Sequence, residues 1–157
     1  MLPPVRHWTP TRRVVMDALY FRVSSDRQTT ENQFDDLLQV AEKDDSGRGW
    51  SQIRELLSKC IHEKAIGDRT VYSVNPNIVA ELAALCVFVE QGRSSRRGAK
   101  SQPLFEQMKK DAALRKFDRL LVWKVSRLGR DMREVISTVY DLSDLGVDLP
   151  PKVRQRV

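Results

Sequence analysis

Cysteine is scarce. Only Cys60 and Cys86 occur in 157 residues, with no CxxC pair and no Cys/His spacing suited to zinc. A disulfide framework and a structural zinc site are thereby excluded, and both thiols are expected to pack as small hydrophobes. The two histidines, His7 and His62, have no partner nearby in sequence, so no metal is expected. No apolar run approaches the ~20 residues of a membrane span. The basic stretch Met1–Arg13 lacks the apolar core of a signal peptide, which points to the cytoplasm. The glycine motifs GxGxxG and GxxxxGKS/T are absent, which argues against a bound nucleotide. Neither an internal repeat nor a low-complexity tract is evident.

What remains is a chain of ordinary globular composition, 41% hydrophobic and 31% charged, of a length that fits one domain. Lysine and arginine outnumber the acids, for a net charge of +6. A basic balance favours polyanionic partners, because bound cations release counterions from a phosphate backbone.

Local patterns divide the chain into alternating elements. Residues 1–13 read as a basic arm. Val14–Phe21, ending at Arg22-Val23-Ser24, is mostly apolar and reads as a strand buried on both faces. A polar loop, Ser24–Gln28, follows. Thr30-Glu31-Asn32-Gln33 has capping-box spacing, and Phe34, Leu37, Leu38 and Ala41 form one helical stripe. After the turn-rich Asp44–Gly49, the residues Ile53, Leu56, Leu57, Cys60 and Ile61 predict a second helix ending near Gly67. Thr70–Val74 reads as a short strand. Asn75-Pro76 supplies an N-cap and a first-turn proline for a helix over Ile78–Leu85.

Cys86–Val89 is a further buried strand, and the basic stretch 91–101 contains Arg93, Arg96, Arg97 and Lys100. Pro103 opens a helix striped by Leu104, Phe105, Met108 and Ala112. Asp118–Val125 is a strand, Ser126–Arg130 a loop, and Asp131 an N-cap. Val135, Ile136, Val139 and Leu142 are expected to stripe a last helix that stops at Gly146, before a strand begun at Val147-Asp148-Leu149. Trp50, Trp123 and Phe88 are expected in or near the core. Strands alternating with helices imply an α/β domain with a mainly parallel sheet. Ligands of such sheets sit at the carboxyl ends of the strands, where Arg22–Gln28 and Ser126–Arg130 fall.

Those loops hold residue types suited to phosphodiester chemistry. Ser24 offers a nucleophile. Arg22, Arg127 and Arg130 offer permanently charged forks that match phosphate oxygens, the last two beside a helix N-terminus. Each residue also has a structural reading: Ser24 as a loop or capping serine, Gln33 as a capping-box member, and the arginines as solvated surface charge. The run Tyr20-Phe21-Arg22-Val23-Ser24-Ser25-Asp26-Arg27-Gln28 with Asn32-Gln33 resembles the opening motif of serine site-specific recombinases, the resolvase/invertase family. Val87–Gly92 is similar to that family's second strand, and Phe117–Arg130 to its second motif. The resemblance covers roughly residues 17–43 and 86–149.

It implies a resolvase-like α/β fold, with helices on both faces of the sheet. It also implies that Ser24 forms a 5′-phosphoserine link to DNA. Arg22, Arg127 and Arg130 would bind the scissile phosphate, and Gln28 and Gln33 would shape the site. No cofactor is implied, because the covalent link stores the bond energy for rejoining. Expected partners are double-stranded DNA and further copies of the chain, as dimer or tetramer, in a nucleoid-associated cytoplasmic setting.

Four departures from the family pattern are visible. Ser126 stands where the family has aspartate, and Gln102 where it has arginine. The segment 43–85 reads as an insertion, mainly helical. Pro150–Val157 show neither the dimerisation helix nor the DNA-binding domain expected to follow, which reads as a truncation. Loss of a charge-handling carboxylate can cost ~10²–10⁴ in rate, so impaired activity is expected. A non-catalytic DNA-binding or recombinase-interacting module, or a decayed fragment, is the alternative.

Overall fold

In the computed structural model, residues 16–24, 30–44, 49–92, 102–129 and 131–149 are described. The first strand, β1 (Asp17–Ser24), leads into helix α1 (Thr30–Asp44) and then α2 (Trp50–Cys60). Two short strands follow, β2 (Ile61–Ile66) and β3 (Arg69–Val74), and then helix α3 (Pro76–Ala84). Strand β4 (Val87–Gly92), helix α4 (Pro103–Ala113), strand β5 (Arg119–Val122), a 3-10 turn (Val125–Leu128) and helix α5 (Met132–Asp144) complete the order. The arm 1–13, Gln28, Arg130 and the basic residues Arg93–Lys100 lie outside the described residues.

The main sheet has the order β4-β1-β5 and is parallel throughout, with Tyr20 opposite Phe88 on one side and Val122 on the other. Successive strand residues point to opposite faces, so Phe21 and Tyr20 report which helix covers each. The Phe21 ring packs on Phe34 of α1 at 4.3 Å, and the Tyr20 ring on Phe105 of α4 at 5.7 Å. Helices therefore cover both faces, as the alternation of elements predicts. Between them Leu19, Tyr20, Phe21, Val87, Phe88, Leu120 and Leu121 are all but fully buried.

A buried ion pair ties the amino ends of two strands. Asp17, with no exposed surface, accepts two 2.7 Å bonds from the Arg119 guanidinium, Nε to Oδ1 and a terminal nitrogen to Oδ2. Beside it, Asp118 accepts from the Met16 N–H at 3.1 Å.

Two expectations need correction. The segment 43–85 carries the helices Trp50–Cys60 and Pro76–Ala84, but its second helix does not run on to Gly67. α2 stops at Cys60, and Ile61–Ile66 turns back on Arg69–Val74 as an antiparallel hairpin. Ile61 fits the α2 stripe in sequence, but it pairs with Val74 instead. Gly67 supplies the positive φ of 60° that the tight turn needs, and the Asn75 N–H closes the hairpin on the Cys60 carbonyl at 2.8 Å. The Gly67-Asp68 pair before the β-branched and aromatic run Thr70-Val71-Tyr72 was the available signal. α3 begins as expected: Asn75 caps it, accepting from the Asn77 N–H at 3.0 Å, with Pro76 in the first turn.

The second correction concerns α5. Val135, Thr138 and Leu142 face inward, whereas Ile136 is 48% exposed. The strand expected over Asp118–Val125 is also shorter, ending at Val122, and the loop after it is partly the 3-10 turn.

Candidate active site at the carboxyl ends of the strands

β1 and β5 are neighbours running the same way, so their carboxyl ends open on one edge of the sheet. Arg22 and Ser24 are the final alternate positions of β1. Beyond Val122 the chain passes into the 3-10 turn that holds Ser126 and Arg127, and then reaches α5. Asp131 caps α5 by accepting from the Glu134 N–H at 2.9 Å.

Gly129 allows this turn to sit flush against the helix. A Cβ there would lie 2.6 Å from the Val135 nitrogen and 2.8 Å from the Glu134 carbonyl carbon. Those are backbone atoms and cannot swing away. Gly129→Ala is expected to cost ~1–3 kcal/mol by overpacking, read as a lowered midpoint in chemical denaturation.

Tyr20 lies at the centre of the site. Its ring is 1% exposed, and its hydroxyl has no hydrogen-bond partner among the described residues. Burial is the main force raising its pKa well above the ordinary phenol range, and the charge of Glu90 pushes the same way. Arg22 and Arg127 oppose that rise, and Glu134 adds to it. A single hydroxyl therefore senses two guanidiniums and two carboxylates drawn from three parts of the sequence. Arg22 and Arg127 are each half-buried, and the Nε of Arg127 is within the protein.

Glu90 sits opposite Arg22 in the β1–β4 register. Its carboxylate is buried and accepts from the Phe105 N–H at 3.1 Å and the Leu104 N–H at 3.4 Å, so it caps the start of α4. Burial raises its pKa, partly offset by those two N–H donors and by Arg22. A raised carboxyl pKa favours the folded state most below the ordinary glutamate range, and this advantage is lost as pH rises through the raised value. Glu90→Gln, which cannot ionise, should therefore gain stability relative to wild type as pH climbs from ~4 towards ~7. Denaturant unfolding across that range checks the sign.

Of the six residues expected in the site, Arg22 and Arg127 both lie near enough to Tyr20 for their charges to act on its hydroxyl. Ser24 ends β1 two positions beyond Arg22, and Gln33 lies in the first turn of α1. Gln28 and Arg130 are outside the described residues. Tyr20, Glu90 and Glu134 were not anticipated. An acid closing the apolar run Val87-Phe88-Val89 was the signal for Glu90, and Tyr20 stands two before Arg22 on the same strand face. Gln102 is half-buried at the α4 N-cap without a side-chain cap bond, and Ser126 is exposed. A cavity bounded by Phe34, Leu38, Arg54, Ile61 and Tyr72 involves α1, on the other sheet face, and is not part of this site.

Residues 75–150 match the family model described as Resolvase, N terminal domain. That segment belongs to the resolvase family. It runs from α3 to just beyond α5 and includes Glu90, Gln102, Ser126, Arg127 and Arg130; β1 and α1 precede it. The chain matches no curated protein. The parallel α/β sheet flanked by helices agrees with a resolvase-like fold, and at the family level the activity is DNA recombination of the serine-recombinase type. Among the described residues, no helix is long and apolar enough to cross a membrane.

Proposed function

We propose that this resolvase-family chain cuts and rejoins DNA strands through a phosphoserine intermediate, with Ser24 as the nucleophile. The observation that carries the reading is that Arg22 and Ser24 share the carboxyl end of β1, beside β5, whose chain continues into Arg127, and that the charges of both arginines reach the buried Tyr20 hydroxyl. The Ser24 oxygen attacks phosphorus, the bond from phosphorus to the 3′-oxygen breaks, and the 3′-hydroxyl leaves with a proton. Rejoining reverses these steps and releases Ser24, so no net redox change or cofactor is needed. Arg22, Arg127 and Arg130 hold the phosphate oxygens through the charge build-up, normally the largest catalytic contribution. By the family resemblance, Gln28 and Gln33 shape the site. Double-stranded DNA is the substrate, and the chain acts with further copies of itself.

Activity is reduced by Ser126 and Gln102. The exposed Ser126 hydroxyl carries no charge to orient Arg127, and Gln102 supplies no guanidinium at the head of α4. These same substitutions favour one competing reading, a module that binds DNA or an intact recombinase without cutting. Incubation of the folded protein with supercoiled DNA from its own locus, followed by a denaturing gel, separates the two. A covalent protein–DNA band supports cleavage. Salt-sensitive binding without that band supports the module.

A further inference from the structure

The cavity between α1, α2 and the β2–β3 hairpin measures about 350 Å3, within the range of small-molecule pockets. Its inner wall is apolar, with Phe34 and Leu38 from α1, Ile61 from β2 and Tyr72 from β3. The Phe34 ring is held in place by Phe21 at 4.3 Å, and Tyr72 is buried. Ile61 and Glu63 are alternate residues of β2 and share a face, and Glu63 stands opposite Tyr72 in the hairpin register. A carboxylate is thereby placed at the edge of an aromatic floor.

Charge at the mouth has one net sign. Arg54 is already neutralised: its Nε donates to Glu42, and a terminal nitrogen donates to Asp35 at 3.3 Å. Glu63 is exposed and forms no ion pair among the described residues. Three carboxylates therefore surround one guanidinium, a negative spot on a chain whose net charge is +6. The Ser58 hydroxyl on the wall donates to the Glu55 carbonyl of its own helix at 2.7 Å, an arrangement for holding a ligand rather than attacking one.

We propose that this cavity binds a small amphipathic organic cation, an ammonium or guanidinium carried on a flat aromatic body. The body covers the wall of Phe34, Leu38, Ile61 and Tyr72, and the cation is drawn to Glu63 and Asp35 and to the face of the Tyr72 ring. A phosphate or carboxylate ligand would meet the uncompensated negative charge, so the cavity discriminates against DNA. Phe21, on which Phe34 packs, immediately precedes Arg22, so the occupant lies one side chain behind the strand that carries Arg22 and Ser24. The inference rests on the cavity and not on the phosphoserine reading, because binding is measured without DNA.

Isothermal titration of the full chain with tryptamine, an indole joined to an ammonium, tests it. A ligand of this size predicts saturable one-site binding with Kd on the order of 100 µM. Indolepropionate, the same ring bearing a carboxylate, should bind more weakly by about tenfold or more, and so should butylamine, which has no ring. Ser58→Phe fills the cavity from an exposed helix position and should abolish tryptamine binding while keeping the wild-type circular dichroism and melting temperature. Glu63→Lys, also exposed, should remove most of the preference for amine over carboxylate. Tryptamine bound no better than indolepropionate, binding indifferent to Ser58→Phe, or no saturable binding overturns the proposal. So does saturation by an arginine-rich peptide but not by tryptamine, which would assign the cavity to a protein partner.

Discussion

Ser24→Ala is expected to abolish the covalent protein–DNA band completely, and Ser126→Asp to strengthen it above wild type. The first effect is all-or-none because the ester forms on the Ser24 oxygen; Ser25→Ala, at the neighbouring hydroxyl, serves as the control and should keep the band. In the reading proposed here, alanine leaves the phosphate-binding arginines in place, so DNA binding should survive while the band is lost. The second effect is graded. A carboxylate at position 126 adds a charge beside Arg127, and acid–base or orienting carboxylates contribute ~10²–10⁴ in rate. Wild type, Ser24→Ala, Ser126→Asp and the double variant would be compared on one gel, each first shown to be folded. A band that persists in Ser24→Ala removes Ser24 from the mechanism. A band in Ser126→Asp but not in wild type shows that the machinery is intact and that one charge is missing. If none of them forms a band, the non-cutting module becomes the better account.

The largest expected loss of stability comes from the Asp17–Arg119 pair. Asp17→Ala should cost ~3–5 kcal/mol and lower the melting temperature by ~10 °C or more, because it leaves a guanidinium largely inside the protein without its carboxylate. Two short bonds in a bidentate geometry join β1 and β5 at their amino ends, at the opposite end of the strands from the candidate site. Removing both partners should hurt less than removing one. In Asp17→Leu/Arg119→Met the desolvation penalty disappears with the charges, so much of the lost stability returns. A double variant as unstable as Asp17→Ala would mean that the pair contributes through shape rather than charge.

Burial of Asp17 also shows where local sequence reading reaches its end. An aspartate at the mouth of an apolar strand reads as a surface residue, and only the partner 102 positions away makes its burial tolerable. Glu90 is a similar case. Its place in an apolar run was visible, but its role as the cap of α4 depends on Pro103 and Leu104 folding back over β4. The α5 stripe failed differently. Val135, Ile136, Val139 and Leu142 satisfy one helical period, and so do Val135, Thr138 and Leu142. The second set is buried because the 3-10 turn, held close by Gly129, fixes how α5 rolls against the sheet.

The sequence by itself determined the class of fold, the order of β1, α1, β4, α4, β5 and α5, the two arginine-bearing strand ends and the basic charge. Each of these follows from spacing within one or two turns of chain, where apolar periodicity and caps outweigh other influences. Only the tertiary structure decided that the charges of Arg22 and Arg127 both reach Tyr20, that Glu90 faces inward, that Ile61–Ile66 is a strand, and that Ile136 faces outward. Those outcomes depend on which surface the chain brings to each element from far away. Burial energy is assigned by the neighbour that arrives, not by the residue that waits for it.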